Sequence, residues 1–568
     1  DLSQTGNYVS IATWSDRNYK HYADGFKSDV VNDDYHIQLI EKYDVLLSNG
    51  VIHAHPVCGA TCGHTTKHER LYWTGISDLS EIKDPKNTYY YLTDNVEVSS
   101  TWTPKDGTVL DLNGKNITAT SGGAVIQVKA GVNFTLTDCK ADNGTYDTTF
   151  TYGKITHSSD CEGQGVDIQS GGTFTMYGGN ITNNNSTSSS SSSVGGGVSV
   201  NGGTFYMYSG TITKNTTNVY GCGGGVDMTG GLFEMYGGEI TSNNSSNNSG
   251  HGGGVAVQEG ATFKLHSGDI TYNKAHGEYG EGGGVYVENG TFEMSGGNIY
   301  NNSISWQNCG GGVYVGKDGQ FTMSGGIINY NKANGGAGVY VNSKAISFEM
   351  SGGEITKNQA YASYRFNGKG GGVLANGTFI MSGGSITNNS ANNGDDNGTV
   401  TYGQGGGVCV GSAGLTGTFK VSGSATITQN WQNGGDISTG NWTNSNRTHN
   451  NVCLYKNSSG IATITITGAL SNRIGVNTND LSESLIVAKG EGYKIKRSDK
   501  TLLSYDDPQT GYTLFLDTAT NQVMYNAHQH GDWTYDSNDN TITVKCGSTL
   551  GTCGLADRIA GTYTITAP

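Results

Sequence analysis

Residues 282–302 read GGGVYVENGTFEMSGGNIYNN, and the same phrase returns along most of the chain. It consists of Gly-Gly-Gly, Val-x-Val, Gly-Thr-Phe-x-Met and Ser-Gly-Gly-x-Ile, and it ends on Asn. The Val-x-Val element starts at Val166, Val198, Val226, Val255, Val285, Val313, Val339, Val373 and Val408, at intervals of 26 to 35 residues. Inside each copy the apolar residues alternate with period two, not 3.6. Phe and Met share one face, as do the two valines, and Ile points the same way. Three short strands joined at glycine-rich bends make one coil of an all-β, right-handed, single-stranded parallel β-helix. Its coils stack about 4.7–4.9 Å apart.

Composition supports a repeat architecture. The 568 residues include 90 Gly, 5 Pro and only 34% hydrophobic residues, too few for one conventional core. A solenoid needs only a few inward side chains per coil. The net charge of −15 argues against nucleic-acid backbones and anionic membranes as partners. No run of 18 apolar residues is present, so no membrane insertion is expected. The chain starts at Asp1 without a signal-peptide pattern, as a mature form or an excised piece of a longer protein would.

An asparagine follows each inward isoleucine by three or four positions: Asn184, Asn215, Asn243, Asn273, Asn302, Asn331, Asn358, Asn389 and Asn430. Asn suits turns, but such regular spacing predicts a column of amides bonded along the stacking axis. The length variation lies between that Asn and the next Gly-Gly-Gly. The loops there should form a ridge along one corner, a common place for binding.

The ends are less regular. Residues 1–88 lack the repeat and read as an N-terminal cap, with helical spacing over residues 33–47 (DDYHIQLIEKYDVLL). Residues 89–527 form the solenoid, regular from about 160 to 430. Residues 528–568 form a small C-terminal β module. The repeat, together with HAHPVCGATCGH near the start and HQHGDWTYDSNDNTITVKC near the end, resembles the β-helix surface proteins of Gram-positive gut bacteria. Similar repeats occur in polymorphic outer-membrane proteins. The resemblance implies a secreted or cell-surface, adhesin-like protein. Some β-helices of this style are glycosidases or polysaccharide lyases.

Several residues are candidates for chemistry. His53, His55, Cys58, Cys62 and His64 crowd together, with His68 just beyond, and four of them suit a tetrahedral structural zinc site. A Cys58–Cys62 disulfide is the rival. His528, His530, Cys546 and Cys553 repeat this choice near the C-terminus. Cys409 and Cys453 take one outward position in strands expected to be adjacent, which suits a disulfide. Cys222 and Cys309 share a register three coils apart, too far to bridge, whereas Cys139 and Cys161 are candidate partners.

Tyr286, Tyr314 and Tyr340 fill one outward position in three successive coils. Such a row offers faces for sugar stacking, or stabilises the strands by stacking on itself. Asp167 and Asp227 share that position two coils apart, about 9–10 Å by coil spacing, near the upper limit of an inverting glycosidase pair. Glu234 lies on the next strand beside Tyr206 and Lys264, so an acid, a base and a sugar platform are within reach of one another. Calcium held between such carboxylates is a second cofactor the pattern admits. Three functions follow: a long face binding glycans or a host surface, a glycosidase or lyase using Asp167, Asp227 and Glu234, or a subunit that assembles with copies of itself.

Overall fold

The computed structural model describes residues 72–527 apart from 87, 139–151, 187–194, 218–221, 246–249, 278–279, 306–307, 362–367, 393, 397–398, 402, 434–447, 459, 479–484 and 507–511; it also describes the backbone of strands within residues 8–55 and 530–564. The chain divides into two units, Asp1–Asn298 and Ile299–Pro568. Each contains a stretch of parallel β-helix.

One coil of the first unit shows how the repeat folds. Strands Val226–Thr229, Leu232–Met235 and Glu239–Thr241 are followed by a fourth, two-residue strand, Asn244–Ser245. The sequence predicts three strands; the fourth lies just past the asparagine and is too short to show a period. Identical positions pair with the next coil: Val226 with Val255, Phe233 with Phe263, Ile240 with Ile270, and Asn244 with Lys274. The second unit repeats this in Val339–Val341, Ser347–Met350, Glu354–Thr356 and Gln359–Ala360.

The inward residues make a dry core. Val226, Phe233, Met235 and Ile240 have no exposed surface. The phenylalanines stack ring on ring, from Phe134 through Phe174, Phe205, Phe233 and Phe263 to Phe292 in the first unit, with centroids 4.5–5.5 Å apart. In the second unit Phe321, Phe348, Phe379 and Phe419 stack at 4.7–5.0 Å. Coil spacing brings such rings into offset-stacked contact, which adds about 0.5–1.5 kcal/mol per pair beyond burial.

The glycine triplet is needed where the chain crosses itself. The first glycine is left-handed, with φ +64° at Gly223 and +63° at Gly252. A Cβ on the second, Gly224, would sit 2.6 Å from the Asn244 backbone of its own coil. On the third, Gly225, it would meet Ile240 Cγ2 at 2.8 Å. At Gly224 and Gly225 the chain therefore passes its own coil too closely for a Cβ, whereas Ala337 fills the middle position in the Val339 coil.

The amide column forms as expected in each unit. Asn215 donates from its backbone N and from Nδ2 to Asn243 Oδ1, both at 3.0 Å, and from Nδ2 to the Ile181 carbonyl at 2.9 Å. Asn184, Asn243 and Asn273 continue this column in the first unit. Asn302, Asn331, Asn358, Asn389 and Asn430 form it in the second. There Asn451 extends the column, and the Asp506 carboxylate closes it by accepting from Asn451 N at 2.6 Å and Nδ2 at 2.9 Å.

One expectation at the N-terminus fails. The described residues of the 33–47 window lie in strands, Asp34–Leu39 and Asp44–Ser48, rather than in a helix. The first pairs antiparallel with Tyr8–Ile11 and Phe26–Val31, and the second with Val51–His55. Tyr35, Ile37 and Leu39 alternate with period two inside the same window, and these β-favouring residues decide the local structure. In the second unit a short helix, Arg497–Leu502, precedes the antiparallel strands Tyr512–Asp517 and Gln522–Ala527. His530–Asp536, Thr541–Cys546 and Tyr563–Thr564 form a three-stranded sheet.

Candidate functional site

The outward position of the first strand carries most of the candidate residues, and it does not face solvent. In the first unit this column contains Asp167, Ser199, Asp227, Ala256 and Tyr286, each no more than 5% exposed. In the second it contains Tyr314, Tyr340, Leu374, Cys409 and Cys453, none above 8%. The glycine triplet explains the burial. The chain entering each coil doubles back across the outer face of its own first strand. A Cβ on Gly282 would lie 2.9 Å from Tyr286 Cβ, and one on Gly310 would lie 2.7 Å from Tyr314 Cβ. The residues just before the triplets bridge from coil to coil, Cys222 to His251 to Glu281 in the first unit and Cys309 to Gly335 to Lys369 to Gln404 in the second. They roof a second buried layer outside the main core.

Of the two readings of the tyrosine row, stacking within the strands is the one seen, and the row is not open to solvent. Tyr314 and Tyr340 stack on each other at 4.9 Å, and their hydroxyls accept from the Asn342 and Asn376 amides at 3.1 and 3.2 Å. Tyr286 stacks on His251 at 4.6 Å and donates to Glu288 Oε2 at 2.8 Å. Burial pushes the Tyr286 hydroxyl well above its ordinary range and pulls the His251 imidazole below its own. His251 Nδ1 lies 3.8 Å from Glu281 Oε2. The three tyrosine rings are buried, at 3–8% exposed.

The carboxylates do not assemble into an acid–base pair open to substrate. Asp167 is saturated by three amides, Gln127 Nε2 at 2.9 Å and Gln169 Nε2 and Asn201 Nδ2 at 2.7 Å. Such a cage occupies the oxygens that catalysis would use. Asp227 is 1% exposed and is covered by the backbone entering its own coil and the one before, where a Cβ on Gly223 would lie 2.6 Å from Asp227 Cα and one on Gly195 would lie 3.0 Å from Asp227 Cβ. Glu234 is half-buried on the second strand, in register with Tyr206 and Lys264 as expected, and it accepts from the Tyr236 hydroxyl. Lys264 Nζ in turn lies 3.5 Å from Glu293.

A different aromatic row was missed. Tyr177, Tyr208, Tyr236 and His266 stack at 4.6, 4.9 and 4.6 Å, each half-buried. The signal was present in the sequence: each ring directly follows the second strand, where Ser295, Ser324, Ser351 and Ser382 stand in later coils. Burial raises the Tyr177 and Tyr236 hydroxyls, and Glu234 adds to the shift at Tyr236. The rings cover one another and present mainly their edges.

Cys409 and Cys453 are direct partners in adjacent first strands, as expected, but Cys409 stands as a thiol rather than in the expected disulfide, and its Sγ donates to the Gly411 carbonyl at 3.4 Å. His53 and His55 lie on strand Val51–His55, described for backbone alone, and Cys58, Cys62, His64 and His68 lie outside the described residues. In the C-terminal cluster His530 pairs across strands with Cys546, while His528 and Cys553 lie outside the description. Cys139 also lies outside it. Among the described residues no helix is long and apolar enough to cross a membrane.

Comparison with protein-family models, with curated proteins and with solved structures found no match.

Proposed function

We propose that this chain is an adhesin-like protein of a bacterial surface or secretion, and that it binds glycans or a host surface through the loops that separate its coils. The observation that carries this reading is the stacking of the fourth strands. In the first unit Asn185–Ser186, Thr216–Thr217, Asn244–Ser245 and Lys274–Ala275 align into one sheet. In the second, Lys332–Ala333, Gln359–Ala360, Ser390–Ala391 and Trp431–Gln432 do the same. The loops that differ most between coils thus leave from one edge of each unit, a repeated platform of the kind repeat proteins use for binding. Burial of Asp167 and Asp227 favours binding over glycoside cleavage.

A glycan array and a host-cell retention assay test it. The whole chain should be retained, shortening residues 187–194 and 246–249 should abolish retention, and Asp227→Asn should leave it unchanged. Release of sugar product that disappears in Asp167→Asn or Asp227→Asn would replace this reading with the glycosidase or lyase.

The two His/Cys clusters belong to the same proposal as structural zinc sites, supported at the C-terminal one by the pairing of His530 with Cys546. Metal analysis should find about two zinc ions per chain, with release by chelator loosening the end modules. A peptide map showing Cys58–Cys62 and Cys546–Cys553 disulfides, without metal, would contradict it.

A further inference from the structure

The position just past the second strand differs between the two units. In the first it carries Tyr177, Tyr208, Tyr236 and His266 in successive coils, with ring centroids 4.6–4.9 Å apart and planes within 12° of one another. In the second it carries Ser324, Ser351 and Ser382, which follow strands Gln320–Met323, Ser347–Met350 and Thr378–Met381 and are all exposed. Coil spacing is alike, since the core phenylalanines of the second unit stack at 4.7–5.0 Å. The serines therefore leave a trough at the levels where the first unit places rings.

That trough is a cavity of about 140 Å³ spanning three coils, lined by the three serines, by Glu349 and Ile380, and by Met323 and Met350. Both methionines are only 1% exposed. Two glycines follow each serine, so no side chain of the bend stands over the opening.

The lining selects the occupant. Ile380 and the methionines supply apolar surface, and the hydroxyls and one carboxylate supply hydrogen bonds. Ser347 Oγ donates to Glu349 Oε1 at 2.9 Å, which steadies the carboxylate and leaves Oε2 to accept from a ligand hydroxyl. Lys420, the partner of Ile380 in the next coil, is held by Glu491 at 2.7 Å. An anionic ligand would thus meet Glu349 without that lysine to offset it. A pyranose ring matches the lining, with C–H surface on its faces and hydroxyls around its rim. Pockets for drug-sized ligands span roughly 300–1,000 Å³, so this smaller one suits a single ring rather than an extended oligosaccharide.

We propose that the trough is a subsite for one neutral pyranose ring, set edge-on as the first unit sets its own tyrosines. The ligand class rests on the glycan-binding reading above; the site itself is separate from the loop edge and lies on the second-strand face.

Isoleucine methyl spectra of the full chain test it, with the Ile380 signal identified by its loss in Ile380→Val. Titration with the neutral methyl glycosides of glucose, galactose and mannose should shift that signal saturably for at least one of them, with a dissociation constant on the order of millimolar. The methyl glycoside of glucuronic acid should bind at least about fivefold more weakly than that of glucose. Ser351→Tyr supplies the ring that the first unit has at this level. It should leave the other isoleucine signals in place and weaken binding at least about tenfold; if it does not fold, Ser324→Tyr serves the same purpose. Ser351→Ala leaves the trough open and should stay within about fivefold of wild type. An Ile380 signal silent to every glycoside up to about 100 mM, binding undiminished by the tyrosine, or equal binding of the glucuronide would overturn the inference. A silent Ile380 in a chain retained by the glycan array would remove the trough and leave the loops; a responding Ile380 in a chain that is not retained would do the opposite.

Discussion

The ladder asparagines are the residues with the least freedom to change. Asn243 is 1% exposed; it accepts from Asn215 twice and donates to Asn273 and to the Ile212 carbonyl. Asn243→Ala leaves the Asn215 donors and the Asn273 oxygen facing a small void. The expected loss is about 2–4 kcal/mol, measured as faster amide exchange in the coils on either side. Asp138 makes a different prediction. Burial, opposed by the N–H groups of Gly114 and Gly153, pushes its carboxyl from 3.8 up to about 6. The folded chain therefore holds this proton more tightly than the unfolded chain. Stability from this group is fully present below about pH 4 and falls by on the order of 2–3 kcal/mol as pH rises to about 6, flattening above. Thermal midpoints taken across that window should show the slope, and Asp138→Asn should remove it. The asparagines were legible because they recur at one spacing. Asp138 was not, since a lone Asp beside an irregular coil gives no hint in sequence of how deeply it is buried.

At the scale of the element, each coil is set by bends that tolerate little. The residue before each ladder asparagine is left-handed although it is not glycine: φ is +54° at Lys214, +57° at Ser242 and +56° at Lys357. Asn adopts this conformation more readily than Ser. Ser242→Asn should raise stability by a few tenths to about 1 kcal/mol in denaturant titration. Gly225→Ala should do the reverse and break its coil, since the new Cβ would lie 2.6 Å from the Gly254 carbonyl oxygen and 2.8 Å from Ile240 Cγ2. The strands themselves were legible from period two. Their surroundings were less so. Alternation separates one face from the other, and it was taken to separate core from water as well. The triplet glycines overturn that step, because backbone without side chains can lie directly on the outer face of the first strand. Tyr286, Asp167 and Asp227 point outward, as the pattern says, into a second interior. Residues 33–47 misled for a related reason, since one apolar run satisfied both a helical and an alternating period.

For the whole molecule, the repeat accounts for core, bends and amide columns, and the proposed recognition falls to the loops. The net charge of −15 adds a constraint: retention should favour neutral glycans, and polyanions such as heparin should not be held at physiological salt. The account depends most on the claim that the outward face of the first strand is interior. Residue-resolved alkylation of the folded, reduced chain tests it directly, following Cys409 in one unit and the substitution Ser199→Cys in the other. Both thiols should react at least about a hundredfold more slowly than in the unfolded chain, released only by opening of their coils. Alkylation of either at the rate of an exposed thiol would contradict the account and reopen that face as a binding or catalytic surface.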